Sequence, residues 1–243
     1  MGGKKESHNY HLQDSNSYKR RPHGLRVDAA WYTIYLFLGI IVGIVAFVID
    51  QIEEYFTEWR NESTDKFDND NQGLAWLIYT LFGVLYVGIS AILTVYVGPG
   101  AVGSGTAEMM GYTNGVRYPN FLGIETLLVK IFGVALAVSG GLHIGKEGPL
   151  AHIGSNIGAA LIFFPTHGCN HPFRNEKDLR KVIAAGAGVG VAVAFASPIG
   201  GTIFAYEVTR PHVYWSFTLL LKTFWASSLA TFVLNIFISL KAG

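Results

Sequence analysis

The sequence has little charge and almost no cysteine. Only 14% of its 243 residues are charged, whereas half of them are hydrophobic. A soluble domain of this length has about 25% charged residues, so the shortage argues against a soluble globular protein. The single cysteine, Cys169, excludes an internal disulfide and fits a loop on the reducing side of a membrane.

Long apolar runs are what the sequence has instead. Trp31–Ile49 and Leu74–Val97 carry no charge and are long enough to cross a bilayer. Further apolar stretches cover 121–144, 149–164, 182–206 and 213–240. These runs predict an all-α polytopic membrane protein. The 29 glycines favour closely packed, broken helices over simple straight spans.

Charge is distributed unevenly around the first span. Residues 1–28 hold six Lys or Arg against three Asp or Glu, whereas the 50–70 segment holds eight acids against two bases. The positive-inside rule therefore predicts an N-terminus in the cytosol or its equivalent, with 50–70 as a loop on the far face. We divide the chain into a polar basic tail, 1–28, and a transmembrane domain, 29–243. Because the first apolar run continues into a full span, we predict no secretory signal.

Two patterns in the predicted loops resemble sites without specifying them. Asn61-Glu62-Ser63 is a glycosylation sequon on the far face, but one triplet is weak evidence for a glycan. A second loop carries alternating metal-binding residue types, whose spacing matches no zinc motif. These residues are His167, Cys169 and His171. We predict no metal and leave the glycan open.

Glycine and proline interrupt the apolar sequence at three places: 98–105, 139–149 and 196–201. Helices broken at membrane depth are tolerated only where they are buried in protein or line a water-filled cavity. The positive N-terminal ends of such half-helices can point at an anion. The pattern therefore predicts re-entrant helices around an ion pathway.

Gly145-Lys146-Glu147-Gly148-Pro149 is the most informative of these interruptions. A charged residue at membrane depth costs on the order of 2.5–3.5 kcal/mol and usually marks an ion path. Pro149 suits the first turn of a helix, so Glu147 is predicted at the positive end of that helix. Glu147 then either guards an anion site or serves only as a helix cap. Lys146 is interpreted as its solvated neighbour.

Two glycine-rich stretches have an ordinary interpretation beside the functional one. Gly103-Ser104-Gly105 can hold an anion through a hydroxyl and unobstructed backbone N–H groups, or it is a flexible turn. Gly186–Gly190 alternates like a dinucleotide-binding loop, but it lies within a spanning segment and follows no strand. Small-residue helix packing is therefore the better interpretation of the second stretch.

Three motifs, in this order, resemble the CLC family of chloride channels and proton/chloride exchangers. They are Gly103–Glu108 (GSGTAE), Gly145–Pro149 (GKEGP) and Ala194–Glu207 (AFASPIGGTIFAYE). The short stretches 114–116 and 231–235 also resemble the lysosomal and plant intracellular branch of that family. The resemblance covers all of the chain except its tail. It implies the first inverted-repeat half of a CLC-type fold, with broken, re-entrant helices.

The resemblance also implies roles for individual residues. Ser104 would coordinate a central chloride. Glu147 would be the gating glutamate, which occupies an anion site when ionised and leaves it when protonated. The residues that complete these two motifs are Gly103, Gly105, Lys146, Gly148 and Pro149.

The sequence departs from the family pattern at two of the motifs. Thr106-Ala107 stands where the family usually has Ile-Pro. Exchangers carry a second glutamate, an inner proton acceptor, directly after the position that matches Glu207, and this chain has Val208 there. The resemblance therefore implies passive chloride transport and not proton-coupled exchange.

Two functions are compatible with the resemblance. In the first, the chain is a chloride channel or transporter that needs a second half, a partner subunit or a copy of itself, because a CLC anion site is built from both inverted halves. In the second, it is a degenerate, non-conducting accessory subunit of a larger membrane complex. We expect no enzyme activity, no nucleic-acid partner and no cofactor, with chloride as the bound or transported ion. We expect an intracellular organelle membrane in preference to the plasma membrane, and leave a mitochondrial membrane open.

Overall fold

A computed structural model describes residues 25–68, 71–116, 118–163, 176–209 and 216–243. Within these ranges the chain forms eight α-helices and no strand, which confirms the all-α prediction. The helices are α1 (Leu25–Asp68), α2 (Gln72–Ile92), α3 (Thr106–Thr113), α4 (Ile124–Ser139), α5 (Glu147–Phe163), α6 (Glu176–Ala194), α7 (Pro198–Thr209) and α8 (Phe217–Ala242).

By its internal contacts the chain divides into two units, Met1–Thr33 and Ile34–Gly243. The boundary falls within α1, and every candidate site residue belongs to the second unit. Some predictions concern residues outside the described ranges and remain predictions. They are those for most of the tail, 1–28, and for His167, Cys169 and His171.

Three of the described helical segments are long and apolar enough to cross a membrane: Ala29–Phe67, Gln72–Val97 and Phe217–Ala242. The first two contain the spans predicted from the sequence. Large apolar side chains are exposed along the second of them, for example Trp76 and Val84. Contiguous apolar surface of this kind is stable against lipid and unfavourable against water, which agrees with a membrane location.

Residues 50–68 of the acidic segment are helical, where the charge pattern predicted a loop. Helix α1 continues through them to Asp68, because residues 50–68 contain no glycine or proline to stop a helix. With 44 residues, α1 is about 66 Å long at the usual rise per residue, roughly twice the thickness of a bilayer core. Asn61, the asparagine of the sequon, is exposed on this helix.

Glycines bring α5, α6 and α7 into direct backbone contact. A Cβ atom placed on Gly154 of α5 would overlap the backbone of Gly186 on α6. One placed on Gly188 would overlap Gly201 on α7. The Gly186–Gly190 stretch is therefore a helix-packing surface, as interpreted from the sequence, and it is not a nucleotide-binding loop.

The predicted interruptions coincide with the ends of helices. Helix α2 gives way to a π turn, Leu93–Val97, and a 3₁₀ turn, Pro99–Ala101, before α3 begins. Helix α4 ends at Ser139 and α5 begins at Glu147, while Pro198 opens α7. Two short loops therefore lead directly into the N-termini of α3 and α5.

Candidate anion site

Ser104 lies in the loop that leads into α3. Its neighbours Gly103 and Gly105 have positive φ angles, +65° and +79°, a conformation that glycine adopts without steric cost. Gly105 is also the N-cap residue of α3. These two left-handed residues turn the chain sharply on either side of Ser104, whose side chain is exposed.

The Ser104 hydroxyl is bonded to the first residue of α3. The backbone N–H of Thr106 donates to Ser104 Oγ at 3.3 Å. The Thr106 hydroxyl lies 2.6 Å from the same oxygen, close enough for a strong hydrogen bond. Sequence reasoning treated residue 106 only as a departure from the family pattern, and nothing in the sequence indicated this contact.

A buried lysine holds the Ser104 loop from the protein interior. Lys130 of α4 is 4% exposed. Its Nζ donates to the carbonyl oxygen of Ala101 at 2.9 Å and to that of Gly103 at 2.7 Å. Hydrogen bonds from a charged donor are stronger than neutral ones, so Lys130 fixes the loop backbone. The sequence signal was a lone lysine within the apolar 121–144 stretch, and its role was missed.

His152 of α5 lies against the same loop. Its ring is fully buried and stacks on Phe121 with 4.3 Å between ring centres. Nε2 is 3.0 Å from the Phe121 carbonyl oxygen, and because a carbonyl only accepts, Nε2 carries the proton of the neutral ring. Nδ1 has no hydrogen-bond partner among the described residues. A Cβ atom at Gly105 would overlap the ring, so position 105 requires glycine for space as well as for its φ angle.

Glu147 is the first residue of α5, as the position of Pro149 predicted. A carboxylate in the first turn interacts favourably with the positive end of the helix. The missing N–H of Pro149 costs no hydrogen bond there, because the first N–H groups of a helix have no intrahelical acceptor.

The Glu147 side chain folds back over Gly145. A Cβ atom placed on Gly145 would lie 2.9 Å from Cδ and 3.3 Å from Oε1 of Glu147. The side chain is partly buried. Among the described residues, the carboxylate has no hydrogen bond or ion pair, so nothing in this part of the chain ties it in place.

Lys146 is ion-paired with α1, where the sequence predicted a solvated neighbour of Glu147. Its Nζ lies 2.6 Å from Asp50 Oδ1 and 3.5 Å from Glu53 Oε2. This pairing leaves the carboxylate of Glu147 without its sequence neighbour as a partner. The cavity beside the pair, about 260 Å³, is lined by Asp50, Glu53, Glu54, Thr57, Glu58 and Lys146.

Ser104 and Gly148 bring the two glycine-rich motifs together. A Cβ atom placed on Gly148 would lie 2.6 Å from the Ser104 Cβ and 3.6 Å from its Oγ. Gly148 follows Glu147 in the first turn of α5. A hydroxyl donor and the positive end of a helix are therefore adjacent, which is an arrangement suited to an anion.

The third motif runs from the last residue of α6 through residues 195–197 into α7. Glu207 is exposed there, and Val208 is 6% exposed. The hydrogen bonds and ion pairs of the described residues join neither of them to Ser104 or Glu147. Val208 is apolar and cannot accept a proton.

The three motifs all lie within a region that matches a known protein family. Residues 83–242 match the family described as voltage gated chloride channel. The chain belongs to this CLC family. Chloride channel protein A of Dictyostelium discoideum is 36% identical over 224 residues, which are 88% of this chain and 25% of that protein.

Other CLC relatives are similar over most of the chain. The H(+)/Cl(-) exchange transporter 7 of Mus musculus is 31% identical over 89% of this chain and 28% of its own length. The chloride channel protein CLC-d of Arabidopsis thaliana is 31% identical over 93% of this chain and 29% of its own length. The chain therefore spans about a quarter of the length of the relatives it matches.

Solved CLC structures share the fold. A slow cyanobacterial Cl⁻/H⁺ antiporter matches with a TM-score of 0.74 and 24% identity, over 85% of this chain and 46% of that one. A eukaryotic CLC transporter matches with a TM-score of 0.77 and 21% identity, over 88% of this chain and 39% of that one. The CLC-type fold predicted from the motifs is thus confirmed, over less than half of each solved chain.

Proposed function

We propose that the chain contributes to a chloride pathway in which Ser104 binds the anion and Glu147 gates it. The observation that carries the proposal is the contact between Ser104 and Gly148. It places the Ser104 hydroxyl beside the first turn of α5, where Glu147 precedes Gly148. Gly103 is exposed, and a Cβ atom there would have nothing within 4 Å, so the loop backbone at this residue is open to close approach by an ion.

The chemistry of the gate follows from charge. An ionised Glu147 beside an anion site repels chloride or occupies its place, whereas a protonated carboxyl does neither. The carboxylate rests over Gly145, and no described residue forms an ion pair with it. Its movement therefore breaks no described bond, as a gate requires.

One hydroxyl and one helix N-terminus do not compensate for the hydration that an anion loses when it is buried. Burying a charge without near-complete pairing costs several kcal/mol. We therefore propose that further donors come from protein outside the described residues, in a second copy, a further segment or another subunit. The same requirement makes at least one further protein surface a partner of this chain. The exposed apolar side chains along α2, such as Trp76 and Val84, support the lipid bilayer as another partner.

The proposed transport is passive. Residue 208 is a buried valine, and an aliphatic side chain cannot relay a proton. Relatives named as chloride channels and relatives named as exchange transporters are both similar to this chain, so their names do not decide between the two modes. An intracellular organelle membrane is proposed from the resemblance of residues 114–116 and 231–235 to the intracellular branch.

Chloride flux tests the proposal. Radioactive chloride uptake is measured in vesicles made from membranes of cells that express the full chain, with a pH-sensitive dye inside. We expect Ser104→Ala to reduce chloride uptake, whereas Ser239→Ala, at an exposed serine on α8, leaves it unchanged. Equal uptake by both variants and the wild type would contradict the role of Ser104. Proton movement in fixed ratio to chloride would contradict passive transport.

A further inference from the structure

The closest polar contact of Ser104 is with a hydroxyl that the proposed function has not used. Thr106 Oγ1 lies 2.6 Å from Ser104 Oγ, and either oxygen has the geometry to donate. The Thr106 backbone N–H also donates to Ser104 Oγ. Thr106 is the first residue of α3, so the helix holds its backbone in place. Among the described residues, Ser104 is the one hydrogen-bond partner of the Thr106 hydroxyl.

The direction of this hydrogen bond decides what Ser104 can bind. A serine hydroxyl has one hydrogen to donate and two lone pairs to accept with. If Ser104 donates to Thr106, its hydrogen is used and it has none for an anion. If Thr106 donates, Ser104 accepts from the Thr106 hydroxyl and backbone N–H and keeps its own hydrogen free. An anion can only accept, so an anion at Ser104 selects the second arrangement.

We propose that Thr106 is a positioning residue for the anion site, as the start of a relay from the Thr106 hydroxyl through Ser104 to the anion. This inference rests on the proposed function of Ser104. A hydroxyl that accepts one hydrogen bond becomes a stronger donor in the next, because chains of hydrogen bonds polarise one another. Two bonds from one residue also fix the Ser104 rotamer, so less freedom is lost when the anion binds.

The relay predicts a preference among anions. Chloride is small and strongly hydrated, so it gains more from a strong, fixed donor than a large, weakly hydrated anion such as thiocyanate. Loss of the Thr106 hydroxyl should therefore weaken the binding of chloride more than the binding of thiocyanate. If Thr106 had a purely structural role, the loss of its hydroxyl would weaken the binding of both anions equally.

The test compares side chains of similar shape at position 106. Thr106→Val keeps the branched shape and removes the hydroxyl, whereas Thr106→Ser keeps the hydroxyl. In vesicles from cells that express the full chain, the concentration dependence of chloride and thiocyanate uptake is measured for both variants and for Ser104→Ala. We expect Thr106→Val to raise the half-saturating chloride concentration roughly three- to tenfold, the equivalent of one ordinary hydrogen bond. Thr106→Ser should restore the wild-type value.

The outcomes separate this inference from the function on which it rests. If Ser104→Ala impairs chloride uptake but Thr106→Val does not, the relay is wrong and the role of Ser104 stands. If Ser104→Ala changes nothing, the proposed function fails and the relay fails with it. Equal losses of chloride and thiocyanate uptake in Thr106→Val would also overturn the relay. Should Thr106→Val not fold, Thr106→Ile, which restores the usual family residue, replaces it with the same expected result.

Discussion

The Ser104 side chain packs on the α-carbon of Gly148, so closely that a Cβ atom there would lie 2.6 Å from the Ser104 Cβ. This contact joins the loop before α3 to the first turn of α5, two segments that are distant in sequence. Only glycine at position 148 allows it. The hydroxyl of one motif and the helix start of the other therefore form one candidate site.

Gly148→Ala should separate the two motifs. The added methyl group meets the Ser104 side chain at less than contact distance, and overpacking of this kind costs about 1–3 kcal/mol. We expect a lower melting temperature in detergent and a loss of chloride uptake. Gly88→Ala is the matched control, since a Cβ atom at Gly88 has nothing within 4 Å. Equal effects of the two substitutions would show that the contact does not matter.

Gly145→Ala should displace the Glu147 carboxylate and leave the fold intact. The new methyl group would occupy the space of that carboxylate, which is the flexible end of a side chain and can move. If the folded-back carboxylate blocks the pathway, chloride uptake at neutral pH rises. Gly73→Ala, whose nearest atom would be at an ordinary 3.5 Å, should change nothing. Unaltered uptake in Gly145→Ala would mean that this position of the carboxylate is not a closed gate.

Glu147→Gln should behave as a permanently protonated gate. Protonation removes the negative charge beside the anion, so wild-type uptake should rise as pH falls and the carboxyl group binds a proton. The glutamine variant should give high uptake at neutral pH and a flat profile. Glu125→Gln is the control, because Glu125 is an exposed acid in the first turn of α4. A pH profile that survives in Glu147→Gln would reduce Glu147 to a helix cap.

Features set by local sequence could be predicted, whereas contacts between residues distant in sequence could not. Pro149 located the start of α5 because proline is tolerated only in the first helical turn. The small residues of Gly186–Gly190 predicted close helix packing for a similar local reason. In contrast, the ion pair of Lys146 with Asp50 joins the loop before α5 to α1, nearly a hundred residues earlier in the sequence. Nothing in a single sequence indicates which distant partner a charged side chain will meet.

The contact of His152 with the Ser104 loop could not be predicted from the sequence for the same reason. His152 meets Gly105 only because α5 packs beside the loop before α3. The sequence showed a histidine near Glu147. In the structure its Nδ1, which has no hydrogen-bond partner among the described residues, faces Gly105 of the other motif. The helix over residues 50–68 could have been predicted, because these residues contain no glycine or proline. The loop prediction was wrong because it gave more weight to their acidic charge.

Lys130→Met should loosen the loop that carries Ser104. Methionine has a similar length and no donor, so the carbonyl oxygens of Ala101 and Gly103 lose the bonds that Lys130 makes at 2.9 and 2.7 Å. Hydrogen bonds to a charged group contribute about 1.5–3 kcal/mol. Removing a buried charge also removes its desolvation cost, which opposes this loss. Ala101 is buried, so water replaces the lost donor poorly, and we expect net destabilisation.

Hydrogen exchange of the backbone amides between residues 99 and 105 measures this effect directly. In Lys130→Met we expect faster exchange there, a lower melting temperature and weaker chloride uptake. Lys241→Met is the control, because Lys241 pairs with Glu54 at an exposed site, where an ion pair contributes little. If exchange in the loop is unchanged in Lys130→Met, the two carbonyl bonds do not hold Ser104 in position. Its placement would then depend on the glycine contacts with α5 alone.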